Sequence, residues 1–136
     1  MLPGKPYSIL IVDDNPRFVD VLETLIRDVA GGAINSIDKA YNGIEGLSLI
    51  RLKLYDFIFM DIQMPLLNGI QVTRIADREF FRHGLNIIAI SYHCEEEYLS
   101  EMIKAGAKKF LSKDQISHDT ISEIFGIPCK PPLSTN

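Results

Sequence analysis

The sequence contains no tryptophan, only two cysteines and only three histidines among its 136 residues. Cys94 and Cys129 lie far apart and fit no metal-binding spacing, which favours reduced, unpaired thiols over a disulfide framework or a zinc site. Neither the GxGxxG pattern of dinucleotide-binding folds nor a P-loop is present, so both of these phosphate-binding devices are excluded.

Long apolar runs and strong charge of one sign are also absent. No run approaches the roughly 20 apolar residues of a membrane span, and residues 1–6 lack the apolar core of a signal peptide. We therefore expect a cytoplasmic protein without a membrane partner. The net charge of −4 argues against nucleic-acid binding by this chain.

The composition, 46% hydrophobic and 24% charged, is that of one ordinary globular domain. We expect an N-terminal tail over residues 1–6, a single domain over residues 7–125 and a proline-rich tail over residues 126–136. That last segment is either a natural end or the start of a linker to an output domain.

Five strand-like apolar runs alternate with helical patterns along the chain. The strands are predicted at residues 7–12, 34–40, 56–60, 86–91 and 108–112, and the helices at about residues 16–30, 43–52, 70–80, 95–105 and 114–125. Continuous apolar strands separated by helices indicate a parallel sheet covered on both faces. We expect a flavodoxin-like, doubly wound α/β fold with strand order 2-1-3-4-5.

Polar residues follow four of these strands at the point where each strand ends. Asp13 and Asp14 follow the first strand, Asp61 the third, Ser91 ends the fourth and Lys113 follows the fifth. Since ligands of such sheets bind beyond the carboxyl ends of the strands, these side chains are predicted to form one site. Close carboxylates repel one another unless a cation joins them, and Mg²⁺ is the natural choice for oxygen ligands. Asp61 would then be a nucleophile toward phosphorus, with Lys113 and Ser91 stabilising the transferred group.

On these residues, together with the segment Met60–Pro65, Asn68–Gly69 and the turn Ala105–Ala107, the chain resembles the receiver domain of bacterial response regulators over residues 7–125. The resemblance implies that Asp61 accepts a phosphoryl group from a histidine kinase or a histidine phosphotransfer protein. It implies Asp14 as a direct Mg²⁺ ligand, Asp13 as mainly an outer partner of the ion, and the Gln63 backbone carbonyl as a further ligand.

The resemblance also implies a switch that changes partner binding. Ser91 would move toward the phosphate, Phe110 would change its rotamer, and the face around the fourth helix and fifth strand would bind a partner differently. A homodimer formed on phosphorylation and an effector domain following this chain are further implied partners. The chemistry would take place on Asp61 itself, with no turnover of an external substrate.

The sequence departs from the family at two positions that bear on the site. Tyr92 follows Ser91 where a small residue is usual, so its ring is predicted to crowd the entry to Asp61, and His93 lies close by. Asp114 follows Lys113 where proline is common, and we expect it to cap the last helix.

Two alternatives stay open. Tyr92 favours a docking module that no longer takes phosphate. A phosphatase with an aspartate nucleophile would need a second acid two residues after Asp61, where Gln63 stands.

Overall fold

The computed structural model describes residues 6–80, 84–92 and 95–127. Within these ranges the chain forms a five-stranded parallel sheet of order 2-1-3-4-5, flanked by helices, as in flavodoxin-like proteins. The strands are β1 (Tyr7–Val12), β2 (Ile34–Ala40), β3 (Phe57–Asp61), β4 (Ile87–Ser91) and β5 (Lys109–Ser112). The helices are α1 (Pro16–Ala30), α2 (Gly43–Leu52), α3 (Gly69–Phe80), α4 (Glu96–Ala105) and α5 (His118–Phe125). The predicted fold class and strand order are confirmed.

The core has two halves, one on each face of the sheet. Because successive strand residues point to opposite faces, Leu10 and Met60 enter the half covered by α2, α3 and α4, whereas Ile11 and Phe59 enter the half covered by α1 and α5. All five residues of both β3 and β4 are buried. This burial explains why these strands read as continuous apolar runs rather than as alternating ones.

The first helix begins where its capping sequence predicts. Asn15 has an extended backbone, and its Oδ1 accepts hydrogen bonds from the backbone N–H groups of Arg17 and Phe18 at 3.1 and 3.4 Å. Pro16 occupies the first helical position, where a missing N–H costs nothing. The helix ends at Ala30, just before Gly31, in agreement with the prediction.

The strand boundaries differ from prediction by single residues. Asp56, predicted as the first residue of the third strand, lies outside β3, and its Oδ2 accepts a hydrogen bond from the backbone N–H of Ser8 at 2.8 Å. Asp61, predicted to follow that strand, is its last residue. The Asp56 side chain thus accepts a hydrogen bond from the backbone of β1, and β3 begins one residue later than predicted.

The last helix was predicted to begin at about Asp114, and this predicted start is wrong. Residues Lys113–Gln115 form a separate 3₁₀ turn, in which the Ser112 hydroxyl accepts a hydrogen bond from the backbone N–H of Asp114 at 3.3 Å. The α-helix begins only at His118, after a capping box in which Ser117 and Thr120 each satisfy the other's backbone N–H. Asp114 therefore does not cap α5, because the reciprocal Ser117–Thr120 pair satisfies that end of the helix.

Candidate functional site

The polar residues predicted to meet at one edge of the sheet do lie there. Asp13 directly follows β1, Asp61 and Ser91 end β3 and β4, and Lys113 directly follows β5. The strand register pairs Val12 with Met60, which places Asp13 beside Asp61 across the β1–β3 ladder. Parallel pairing of every strand brings all of these carboxyl ends to the same edge.

Three carboxylates form a cluster at this edge. One carboxylate oxygen from each of Asp13, Asp14 and Asp61 lies within 4.8 Å of the other two. Asp13 is fully buried and Asp61 is only 4% exposed, whereas Asp14 is exposed. The backbone N–H of Asn15 donates to Oδ1 of Asp13 at 2.9 Å, so the residue that caps α1 also orients one acid.

The Lys113 ammonium lies against two of these carboxylates. Its Nζ is 2.6 Å from Oδ2 of Asp13 and 3.5 Å from Oδ1 of Asp61, and its side chain is only 6% exposed. A buried charge is stable only when it is paired, so the ammonium and the acids depend on each other.

The three carboxylates of the cluster carry more negative charge than the one lysine can balance. Burial, and after it the negative charge of Asp13, raises the pKa of Asp61 to about 7, although Lys113 opposes both effects. Burial also raises the pKa of Asp13, although Lys113 and the Asn15 N–H favour its charged form. One lysine cannot compensate three acids, and a divalent cation could supply the missing charge.

A cavity of about 200 Å³ opens over Asp61. Ser91, which is 1% exposed, and Tyr92, which is 54% exposed, both belong to its wall. The full lining is Asp14, Asn15, Asp61, Gln63, Ser91, Tyr92 and Lys113. Most of the predicted site residues are thus brought together around one space that could admit a small anion or a metal ion.

The loop between β3 and α3 holds Asp61 through a glycine. The backbone N–H of Gly69 donates to the carbonyl of Ile62 at 2.8 Å, and a Cβ at Gly69 would collide with the backbone carbonyl of Asp61. Asn68 and Gln71 then cap α3 reciprocally, each backbone N–H donating to the other's side chain at 2.9 Å. The Asn68–Gly69 pair in the sequence therefore reflects a close backbone approach behind the acidic cluster.

Three predicted residues either do not line this cavity or cannot be placed. Asp13 is fully buried and belongs to the carboxylate cluster without reaching the cavity wall. Phe110 is half-buried, is in register with Ala89 of β4 and packs against the core half under α2, α3 and α4, not among the lining residues of the 200 Å³ cavity. His93 lies outside the described residues.

One neighbour of the site, Phe18, was not predicted from the sequence. Phe18 fits the apolar face of α1, yet its ring centroid lies 4.5 Å from Nζ of Lys113. The sequence feature that could have indicated this contact is the position of Phe18 in the first turn of α1, which begins shortly after the acid pair. Hydrophobic periodicity alone cannot distinguish this contact from ordinary core packing.

The described part of the chain was also compared with the length and composition of membrane-spanning helices. Across residues 6–80, 84–92 and 95–127, no helix combines the length and the apolar character needed to cross a bilayer.

Comparison with known proteins agrees with the fold and the site. The family model of the response regulator receiver domain matches residues 9–125. The chemotaxis protein CheY of Halobacterium salinarum is 30% identical over 106 residues, which are 78% of this chain and 83% of CheY. The sensor histidine kinase GacS of Pseudomonas protegens is 33% identical over 115 residues, which are 82% of this chain but only 12% of the length of GacS.

A solved structure is also similar. The receiver domain of the histidine kinase CKI1 from Arabidopsis thaliana, complexed with Mg²⁺, superposes with a TM-score of 0.74 and 29% identity, over 87% of this chain and 91% of that one.

A parallel sheet of this order with an acidic cluster at its carboxyl edge defines a class of signalling domains. The chain belongs to the response regulator receiver domain family of two-component systems. Receiver domains act with histidine kinases and effector domains, and they are generally switches rather than enzymes acting on an external substrate.

Proposed function

We propose that this receiver domain is a phosphorylation switch in which Asp61 accepts the phosphoryl group. The observation that carries this proposal is the cluster of Asp61, two further carboxylates and the buried Lys113, with Asp61, Asp14 and Lys113 lining one small cavity. Burying like charges costs free energy, so ordinary packing does not account for this combination, whereas a phosphoryl-transfer site does.

The phosphoryl donor is proposed to be a phosphohistidine of a kinase or of a histidine phosphotransfer protein. A carboxylate oxygen of Asp61 forms a bond to phosphorus while the phosphorus–nitrogen bond of the donor breaks, and the imidazole nitrogen keeps the electron pair. Lys113 lies close enough to Asp61 to neutralise an oxygen of the transferring group, and Ser91 lines the same cavity with its hydroxyl. Hydrolysis by water would restore the carboxylate and release inorganic phosphate.

The donor set fits Mg²⁺. Three clustered carboxylates with one lysine leave an excess of negative charge, and carboxylate and carbonyl oxygens are the ligands that this ion prefers. Asp14, Asp61 and the Gln63 backbone carbonyl would hold the ion, with Asp13 mainly as an outer partner. Bound Mg²⁺ supplies a positive charge that offsets the acids and polarises a phosphoryl oxygen. The similar CKI1 receiver domain, crystallised with Mg²⁺, supports this assignment.

The switch itself is proposed to be a population shift. Aspartyl phosphate would favour a state in which Ser91 and Phe110 move inward, and the face formed by α4 and β5 would then bind a partner differently. The location of Phe110 on β5, next to that face, supports the proposal. The effector domain, a phosphorylation-dependent homodimer, the cytoplasmic location and the absence of nucleic-acid binding stay predictions.

A second candidate is a docking module that works without phosphate. The observation that favours it is the Tyr92 ring in the wall of the cavity over Asp61. The retained acid cluster and Lys113 favour the switch. The phosphatase alternative is weaker, because Gln63 stands where a second acid would be needed.

Intact mass measurement separates these candidates. The full chain is incubated with Mg²⁺ and either acetyl phosphate or phosphoramidate, in parallel with Asp61→Asn and without Mg²⁺. The switch predicts a gain of one phosphoryl group, about 80 Da, that requires both Asp61 and the metal. If neither the wild type nor Tyr92→Ala gains mass, the docking module replaces the switch as the proposed function.

A further inference from the structure

The Lys113 ammonium lies near two aromatic rings as well as beside two carboxylates. Nζ is 4.5 Å from the ring centroid of Phe18 and 5.3 Å from that of Tyr92. The two rings stand edge to face, with centroids 6.5 Å apart and an interplanar angle of 68°. Both distances lie within the range in which a cation is attracted to the face of a ring.

The two rings contact the lysine from different sides. Lys113 and Tyr92 line both the acidic cavity over Asp61 and a neighbouring cavity of about 270 Å³. Phe18 lines only the second of these cavities. Lys113, Tyr92 and Asn15 thus lie between the two spaces, and Phe18 contacts the lysine from the second cavity.

We propose that Phe18 is a positioning residue for Lys113, holding its ammonium against Asp13 and Asp61 with the Tyr92 ring as the second support. This inference rests on the proposed function, since it concerns how the lysine is prepared for the phosphoryl group. A lysine side chain has four rotatable bonds, and ordering it in advance removes an entropic cost from the transfer step. The rings also exclude water, which strengthens the attraction between the ammonium and the acids.

The proposal predicts two effects of opposite sign. An ammonium held beside the acids repels a divalent cation, so loosening it tightens Mg²⁺ binding. The same loosening removes a preplaced positive charge from the transferring group, so phosphorylation slows. A merely structural defect at the site would instead weaken both Mg²⁺ binding and phosphorylation.

Phe18→Leu removes the ring and keeps an apolar side chain at this 7% exposed position. The matched control is Phe125→Leu, which removes a 5% exposed ring from the same half of the core, where that ring packs against Tyr7, Phe57 and Phe59. Phe18→Tyr keeps the ring face. For Phe18→Leu we expect a Mg²⁺ dissociation constant lower by about threefold to tenfold and phosphorylation by phosphoramidate slower by a similar factor. Phe125→Leu and Phe18→Tyr are expected to stay within about twofold of wild type.

The measurements are isothermal titration with Mg²⁺ alone and the initial rate of mass gain. An unchanged Mg²⁺ affinity in Phe18→Leu, a joint loss of affinity and rate, or equal effects in Phe125→Leu or Phe18→Tyr would each overturn the proposal.

A spectroscopic readout tests the contact without any phosphorylation. Ring currents from Phe18 and Tyr92 should shift the ε-methylene protons of Lys113 upfield in the wild type, and Phe18→Leu should move them toward the free-lysine value. The Lys113 signals are identified by their loss in Lys113→Met. Unshifted protons in the wild type would contradict the proposal. If the wild type takes no phosphoryl group at all, the proposed function fails, while the Mg²⁺ titration and this shift still decide the role of Phe18.

Discussion

Lys113 lies closer to Asp13 than to Asp61, with its Nζ 2.6 Å from the first carboxylate and 3.5 Å from the second. Both side chains of the shorter pair are buried, so water competes only weakly for this contact. Asp13 is therefore the principal counter-ion of the lysine, and the Asp61 carboxylate is only partly compensated. Burial is the main cause of the raised pKa of Asp61, and the longer distance to Lys113 leaves that effect only partly opposed.

Removal of this lysine should destabilise the metal-free protein. Lys113→Met leaves Asp13 buried without its counter-ion, and we expect the free energy of unfolding to fall by about 3 kcal/mol. Urea unfolding in the presence of a chelator measures the change. Lys108→Met, at an exposed position, is the control and should stay within about 0.5 kcal/mol of wild type. If the fall in unfolding free energy of the double variant Asp13→Asn/Lys113→Met equals the sum of the falls in the two single variants, the two residues do not stabilise each other.

Stability of the metal-free protein should fall as the pH rises from about 4 to 7. The folded pKa of Asp61, about 7, lies above the unfolded value near 3.8, so the folded state retains a proton that the unfolded state has lost. The stabilisation from this proton is complete below the unfolded pKa and is lost as the pH passes through the folded one. Between about pH 4 and pH 7, the titration of Asp61 should lower the free energy of unfolding by about 2 to 4 kcal/mol.

Urea unfolding at several pH values, with and without Mg²⁺, tests the slope. Asp61→Asn should flatten it, although Asp13, whose pKa is also raised, leaves a residual slope of the same sign. Saturating Mg²⁺ should remove the dependence near neutral pH, because the ion binds the charged carboxylates. An equally steep slope in Asp61→Asn would exclude Asp61 as its source.

Gly69→Ala should displace Asp61 and weaken Mg²⁺ binding. A Cβ at this position would meet the backbone carbonyl of Asp61, which cannot move without shifting the end of β3. We expect a loss of about 2 kcal/mol or more in unfolding free energy, together with a weaker Mg²⁺ affinity. Gly31→Ala is the matched control, because nothing lies within 4 Å of its added Cβ and its backbone is helical. Unchanged Mg²⁺ affinity in Gly69→Ala would show that the close approach does not position Asp61.

The sequence predicted the fold and the placement of the acids because both follow from simple rules. Continuous apolar strands require a covered parallel sheet, and a parallel sheet collects its strand ends at one edge. Asp13 and Asp61 therefore had to lie side by side once the strand order was known, whereas Lys113 follows the edge strand β5 and reaches them across the same edge of the sheet. The contact between Phe18 and Lys113 was not predictable in this way, because it depends on side-chain directions that periodicity does not specify.

The start of α5 was mispredicted because an aspartate and a serine competed as its cap. Ser117 prevailed with Thr120 as its reciprocal partner, and Asp114 became part of a 3₁₀ turn. Ser117→Ala should therefore cost about 1 kcal/mol of unfolding free energy, and Asp114→Ala clearly less. Thermal unfolding of both variants provides the comparison. Equal losses would mean that the cap is shared, contrary to the hydrogen bonds observed.

Tyr92 should slow both the arrival and the loss of the phosphoryl group. Its ring belongs to the wall of the cavity over Asp61, so a small phosphodonor or a hydrolytic water must pass beside it. Tyr92→Ala opens this path, and we expect faster phosphorylation by phosphoramidate and a shorter aspartyl phosphate lifetime, each by about threefold or more. A change of that size corresponds to about 0.7 kcal/mol in activation free energy.

The ring of Tyr92 has a second role that opposes the first, because it also supports the Lys113 ammonium. Tyr92→Leu separates the two roles, since it retains bulk in the wall and removes the ring face. We expect Tyr92→Leu to keep the long phosphate lifetime and to lose part of the transfer rate, and Tyr92→Phe to resemble wild type in both. The decay of the phosphorylated mass after removal of the donor measures the lifetime. If Tyr92→Ala and wild type lose phosphate at the same rate, the ring does not control water access to Asp61.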